Sequence, residues 1–185
     1  NVQPLNLTIR QNVLGVKTRL AGDVVYGALP QLSVGAQAKW NEDPAVPLAL
    51  GAEDDNGMEL TMSASKLWLN ALAGRNLFAN LTMRRRDASQ TGFLGYGSAA
   101  TPRSDYEWLT EASVAVFLSR RWAFGYEYRQ KPDSLAAVRE DDWQDVFVGW
   151  FPSKSVSIIG AYAELGDVAG LPDQSGYYLS MQWTR

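Results

Sequence analysis

Histidine and cysteine are both absent from the 185 residues of this chain. Without histidine, the chain lacks the commonest general base and the commonest metal ligand of proteins. Without cysteine it has neither thiolate chemistry nor disulfides, and an oxidising compartment, where free thiols are a liability, fits that composition. A hydrolase that works through a His base is therefore disfavoured. We predict a protein that is not an enzyme and that has no catalytic residues, no metal site and no cofactor.

Long hydrophobic runs and an excess of positive charge are also lacking. No window approaches the roughly 20 consecutive apolar residues of a membrane-spanning helix, and the mean hydropathy is −0.21. The net charge of −3 gives no basis for binding nucleic acid. The length fits one domain over residues 1–185. Aromatic residues, in contrast, are plentiful, with seven Trp and eight Tyr.

Many of these aromatic residues follow a period of two, as in WAFGYEYRQK over residues 122–131. Trp122, Phe124 and Tyr126 share one side of this pattern, and the other side is small or charged, which indicates a β-strand. Similar alternation recurs along the chain, and no second set of apolar elements is available to cover it. The pattern is typical of a transmembrane β-barrel, in which apolar residues face lipid and polar or small residues face the lumen.

The number of strands depends on the N-terminal region. Leu5, Leu7 and Ile9 alternate in one phase, and Leu14 to Leu20 alternate in the opposite phase. One long strand with a bulge near Gln11–Asn12 gives nine strands, whereas a hairpin there gives about ten. With nine strands the first one starts on the outer side, and upstream strands would raise the total to about twelve. A second phase slip, at Ser65–Lys66, predicts a β-bulge.

The lengths of the connections predict the orientation. Residues 70–76, 120–121 and 152–154 are tight turns, and residues 41–57, 87–105, 132–142 and 166–176 are longer loops. Short turns are periplasmic in outer-membrane barrels. This topology places aromatic residues at both membrane interfaces, as amphipathic rings prefer. The outer girdle is Trp40, Tyr106, Trp108, Tyr128, Trp143 and Tyr177, and the inner girdle is Trp68, Trp122, Trp150 and Trp183.

The alternation also predicts which charged residues face the lumen. They are Lys17, Arg19, Lys39, Glu59, Arg84, Arg86, Glu107, Glu111, Glu127, Arg129, Lys131, Asp145 and Glu164. These residues could line a pore and select solutes by charge. They could equally form a salt-bridged network that fills the lumen, since a barrel of about eight strands is just filled by its own side chains.

Several segments carry a family resemblance. They are residues 13–27, 29–40, 74–76, 127–158 and 173–182, and the most specific are Tyr128–Asp133 and Arg139–Phe151. Together they resemble a proteobacterial family of predicted outer-membrane β-barrels that is known only as a domain of unknown function. The resemblance implies fold and location, implies further strands at the N-terminus, and implies no activity.

These patterns lead to one expectation for function and one alternative. We expect an all-β, antiparallel up-and-down barrel in the bacterial outer membrane that acts as a narrow, porin-like channel for small solutes. The alternative is a non-conducting structural or interaction barrel within an envelope protein complex. The expected partners are outer-membrane lipid and lipopolysaccharide, with other envelope proteins as a second class.

Overall fold

Nine strands form one antiparallel sheet in the order of the sequence. The structure is a computed structural model that describes residues 10–49, 51–86, 92, 95–97, 107–132, 141–168 and 171–184. The strands are β1 (Gln11–Ala21), β2 (Gln31–Asn41), β3 (Asn56–Leu72), β4 (Arg75–Arg86), β5 (Glu107–Phe117), β6 (Trp122–Arg129), β7 (Trp143–Trp150), β8 (Val156–Val168) and β9 (Leu171–Trp183). The helix α1 (Ala45–Ala49) has five residues. No helix of the described residues is long and apolar enough to cross a membrane.

The predicted all-β, antiparallel up-and-down architecture is confirmed. Each strand pairs with its neighbour in the sequence, and the sheet is not closed into a barrel, because β1 and β9 are its two edges. Gln11 and Asn12 lie inside β1 and pair with Asn41 and Trp40. These pairings exclude one of the two alternatives, a hairpin turn at Gln11–Asn12, and the described part of the chain has nine strands. The other alternative, one long strand from Leu5, depends on residues outside the described ones.

The hairpin between β3 and β4 shows how the local sequence sets the turns. Leu72 pairs with Arg75, so that only Ala73 and Gly74 form the turn. Both have positive φ, at 48° and 76°. Two consecutive residues with positive φ match the twist of the flanking strands in a type I′ turn. The connection is therefore shorter than the turn predicted at residues 70–76.

Two details of the strand register differ from the sequence prediction. The bulge predicted at Ser65–Lys66 was wrong: β3 keeps one register against β4 from Leu60 to Trp68, and the irregularity follows Trp68. Asn70, with φ 56°, lies within that irregularity. The predicted loop at residues 166–176 was also wrong, because β8 and β9 continue through it and pair as far as Val168 and Leu171.

The two faces of the sheet have an inverted pattern of burial. We call the face that carries Leu60, Met62, Leu81, Val146 and Leu179 the apolar face, and the opposite one the polar face. These five side chains are exposed, from 42% at Leu60 to 77% at Leu179. On the polar face, in contrast, Lys39, Glu59 and Arg86 are buried. Buried hydrophobic residues are few in the described chain: Ala52, Tyr96, Leu109, Ala115 and Ala123.

Candidate functional site

The polar face brings together charged residues from five neighbouring strands. We call Lys39, Glu59, Arg84, Glu111 and Arg129 the charge ladder, because opposite charges alternate from β2 to β6. Arg84 lies opposite Thr61, two residues from Glu59 on the same face. Glu111 lies opposite both Thr82 and Arg129. Diagonal neighbours in a sheet are within reach of long side chains, so the register itself aligns the ladder.

Each step of the charge ladder is a close ion pair. Lys39 Nζ lies 2.7 Å from Glu59 Oε1, and Arg84 Nη1 lies 2.7 Å from Glu59 Oε2. Arg84 also binds Glu111 through two nitrogens, with Nε–Oε1 at 2.8 Å and Nη2–Oε2 at 3.1 Å. Arg129 Nε completes the ladder at 3.2 Å from Glu111 Oε1. Bidentate arginine–carboxylate pairs are among the stronger and more directional polar contacts in proteins, so Arg84 is the rigid centre.

Glu59 is the most enclosed member of the ladder, with a side chain that is 0% exposed. Besides Lys39 and Arg84, it attracts Arg86, whose Nη1 lies 3.7 Å from Glu59 Oε1. Three cations around one carboxylate compensate the cost of burying it, and removal of the carboxylate would leave their buried positive charge less well compensated. Glu59 is therefore the residue on which the ladder most depends.

A cleft of about 330 Å³ lies beside the ladder and is lined by Glu111, Glu127, Arg129, Trp143 and Asp145. A second cleft, of about 680 Å³, continues from these residues over β8 and β9, where Ala161, Ala163 and Gly176 leave room. Glu127 and Asp145 lie directly opposite each other on β6 and β7. Neither makes an ion pair within 4 Å with a basic residue in the described ranges, although Arg129, which is paired with Glu111, attracts both at longer range. Like charges placed opposite each other repel, so this part of the polar face attracts cations.

Trp143 lies on the polar face, and its prediction as a girdle residue was wrong. It pairs with Arg129, which is on that face. Lys131 is buried and places its ammonium group 4.1 Å from the centre of the Trp143 ring. A cation–π contact of this kind explains why an aromatic residue turns towards the charged side. The alternation of β7 is consistent with this, since Trp143, Asp145 and Phe147 have the same phase.

Glu164 lies on the apolar face, so its placement in the lumen was also wrong. It pairs with Gln144, whose Nε2 donates a hydrogen bond to Glu164 Oε2 at 2.8 Å. Tyr126 Oη donates in turn to Gln144 Oε1 at 3.0 Å. This short polar chain satisfies the one carboxylate that β8 directs to the apolar side. The phase of β8 was ambiguous in the sequence, and only its pairing with β7 decides it.

Of the other twelve predicted lumen residues, Lys131 follows the end of β6 and lies over Trp143, and eleven lie on the polar face of the described strands. They are Lys17, Arg19, Lys39, Glu59, Arg84, Arg86, Glu107, Glu111, Glu127, Arg129 and Asp145. Lys17 and Arg19 are exposed, because β1 is an edge strand. The structure joins five of the predicted residues into the charge ladder and leaves the acidic pair Glu127–Asp145 outside it.

The Trp residues on the apolar face lie near the two ends of the strands. Trp122 and Trp150 pair and stack at the end with the short turns, with ring centroids 5.9 Å apart. Trp68 and Trp183 lie near the same end, and Trp40, Trp108 and Tyr128 lie near the opposite end. Tyr177, which the sequence predicted at the outer girdle, lies in the middle of β9. Tyr128 Oη donates a hydrogen bond to Asp142. The predicted girdle residue Tyr106 lies outside the described residues.

A small cap covers the polar face at the long-loop end of β2 and β3. It is formed by Pro47, Ala52 and Tyr96, all buried. The Tyr96 backbone N–H donates to Asp54 O at 2.9 Å, and the Asp54 N–H donates back to Tyr96 O at 3.0 Å. The Tyr96 ring packs on Gly57, where a Cβ atom would lie only 2.2 Å from Tyr96 Cδ1. Sequence reasoning missed this cap, and an isolated glycine in a strand, which often marks the close approach of another group, was its only signal.

Comparisons with known proteins give a family and nothing further. A family model described as a protein of unknown function (DUF3034) matches residues 2–182. No curated protein and no solved structure matches the chain.

Proposed function

The chain belongs to the DUF3034 family of proteins of unknown function, and we propose that it forms the wall of a β-barrel in the bacterial outer membrane that conducts small solutes through a narrow lumen. In this proposal the apolar face contacts lipid and the polar face lines the lumen. The short turns between β3 and β4, β5 and β6, and β7 and β8 are periplasmic.

The proposal rests on the inverted burial of the two faces, since apolar side chains are exposed and charged ones are buried. Met62, Val146 and Leu179 are 54%, 44% and 77% exposed in the middle of strands, while Glu59 on the opposite face is 0% exposed. Soluble proteins rarely leave a continuous apolar surface of this kind uncovered, whereas a barrel in lipid requires it. Trp residues near both ends of the apolar face support the same orientation, because their rings prefer the two interfaces.

A narrow passage is best accommodated on the β6–β9 side of the lumen. The cap of Pro47, Ala52 and Tyr96 covers the polar face at β2–β3, and the charge ladder occupies the face from β2 to β6. The clefts of about 330 and 680 Å³ begin beside Glu111 and Arg129 at the end of the ladder and extend towards β9, with Glu127 and Asp145 on their walls. Charged side chains at a constriction select ions by sign. We therefore propose that the channel prefers cations and that Glu127 and Asp145 set this preference.

Conductance of the full-length gene product in planar bilayers tests this function. We expect single-channel steps with cation preference, and we expect Glu127→Gln with Asp145→Asn to lower the cation-to-anion permeability ratio several-fold. Asp43→Asn, in the exposed β2–β3 loop, is the matched control and should leave the ratio unchanged. A reconstituted barrel without single-channel steps would rule out the channel.

The second candidate function is a non-conducting barrel within an envelope complex. It is favoured by the charge ladder itself, because a continuous ion-pair network is a common way to fill a small lumen. A folded, membrane-inserted barrel that is silent in bilayers would support this candidate. Substitution of Glu127 and Asp145 would then change stability without any effect on ion flux.

A further inference from the structure

The connection between β1 and β2 folds back against β3. Residues 22–30 form this connection, and Leu67 N donates a hydrogen bond to Val24 O at 2.7 Å. Gly22 allows the bend with φ 74°, and a Cβ there would lie 1.9 Å from Pro30 O. The Asp23 carboxylate accepts hydrogen bonds from the Tyr26 and Val25 backbone N–H groups, at 2.7 and 2.8 Å. These bonds lower the pKa of Asp23 and keep it charged.

Lys66 fixes this connection from the apolar face. Its Nζ donates hydrogen bonds to Gly27 O at 2.7 Å and to Asp23 O at 3.3 Å. Only 7% of the residue is exposed, and both of these partners are uncharged carbonyl groups. No carboxylate of the described residues forms an ion pair with Lys66. The charged Asp23 carboxylate attracts Lys66 without forming an ion pair within 4 Å. The direct contacts of the buried ammonium group are thus to neutral oxygens, which favours a further anion where Lys66 borders the groove.

An apolar groove of about 430 Å³ begins at Lys66. The bottom of the groove is formed by the small side chains of Ala64, Ala79 and Ala112. Its walls on the same face are the larger side chains of Leu81, Val114 and Tyr126. Ala28 and Pro30 of the folded connection close one side. The groove is thus a long apolar depression with a cation at the end that carries the short turns.

We propose that this groove binds one acyl chain of an anionic phospholipid, with the phosphate group next to Lys66. The inference rests on the proposed membrane location, which puts Lys66 at the periplasmic interface, where phospholipid headgroups lie. Trp68 is 44% exposed beside the groove, and Tyr26 in the folded connection is 77% exposed. Amphipathic rings of this type prefer the headgroup region. Basic side chains at that depth attract anionic headgroups.

Native mass spectrometry of the full-length protein in detergent tests the proposal. The probes are phosphatidylglycerol and phosphatidylcholine with the same palmitoyl and oleoyl chains. We expect the wild-type protein to retain one phosphatidylglycerol molecule and to prefer it several-fold over phosphatidylcholine. Lys66→Gln should abolish the preference, and Lys66→Arg should restore it. Ala79→Leu, which fills the floor of the groove, should abolish retention of both lipids.

Ala38→Leu is the matched control, because Ala38 lies on the apolar face of β2 outside the groove. It should retain phosphatidylglycerol like the wild-type protein. Wild-type protein that retains no lipid, or Ala79→Leu protein that binds as the wild type does, would overturn the inference. A heat-induced gel shift of the same samples separates the two proposals. If the shift persists while lipid retention fails, only the groove assignment is wrong; if the shift is lost, the barrel is wrong.

Discussion

Glu59 is the residue of the polar face whose loss should lower the free energy of unfolding most. It has no exposed side-chain surface and lies close to Lys39, Arg84 and Arg86. Breaking a buried ion pair by removing one partner typically costs about 3–5 kcal/mol. We therefore expect Glu59→Gln to lower the free energy of unfolding by several kcal/mol, as measured by urea unfolding of the reconstituted protein.

Glu42→Gln is the control for this prediction. Its pair with Arg10 has a separation of 3.7 Å, and both side chains are largely exposed, at 48% and 74%. Exposed pairs contribute about 0–1 kcal/mol. Similar urea midpoints for the two variants would show that the ladder does not stabilise the sheet.

Gly125 is a second sensitive residue on the polar face. A Cβ at this position would lie 2.3 Å from Phe147 Cζ and 2.5 Å from Val114 O. Overpacking of this kind costs about 1–3 kcal/mol, so we expect Gly125→Ala to shift the urea midpoint downwards. Gly160, on the apolar face of β8, has no heavy atom within 4 Å of such a Cβ. Gly160→Ala should therefore be harmless, and an equal effect of both substitutions would disprove the packing argument.

Within a single strand, the cost of adding a charge to the apolar face should depend on where along the strand it is placed. Met62 lies in the middle of β3 on the apolar face and is 54% exposed. If this face contacts lipid, Met62→Arg should destabilise the protein by about 2–4 kcal/mol. Ala71→Arg, beyond the register irregularity of β3, should cost much less. In water, surface substitutions of both kinds stay within about 0.5 kcal/mol, so equal and small effects would argue against lipid contact.

The strands also show what the sequence can and cannot predict. The phase of β6 follows from its own residues, because Trp122, Phe124 and Tyr126 leave a single apolar side. The phase of β8 does not, since Ile158 and Ile159 give it apolar residues on both sides, and Glu164 was misplaced as a result. Trp143 was misplaced because hydrophobic periodicity does not account for a cation such as Lys131 over its ring. The ladder residues were predicted by phase, but their pairing depends on the strand register, which the sequence does not reveal.

For the whole molecule, the odd number of strands in the sheet limits how a barrel can close. In an antiparallel sheet of nine strands, β1 and β9 run in the same direction. Direct pairing of these two edges would be parallel, so an entirely antiparallel barrel needs an odd number of further strands between them. A second copy in the same membrane orientation does not solve this, because its β1 would also run parallel to β9.

Cross-linking tests this closure in a chain without native cysteines. We expect a short bifunctional thiol reagent not to join Val16→Cys to Leu179→Cys in the full-length protein, since other strands would separate β1 from β9. Val16→Cys with Ala36→Cys is the positive control, because these two residues pair directly. Efficient cross-linking between β1 and β9 would instead show that the barrel closes through a parallel pair.

In the proposed barrel the apolar face of the sheet contacts lipid and the polar face does not. A scan of single cysteines along β7 tests it most directly, with spin labels read by relaxation from oxygen in lipid and from a nickel complex in water. We expect an alternating pattern in the reconstituted protein: Val146 and Val148 are accessible to oxygen, and Asp145 and Phe147 are not. Accessibility of Val146 and Val148 to the aqueous nickel complex, or a pattern without a period of two, would contradict it.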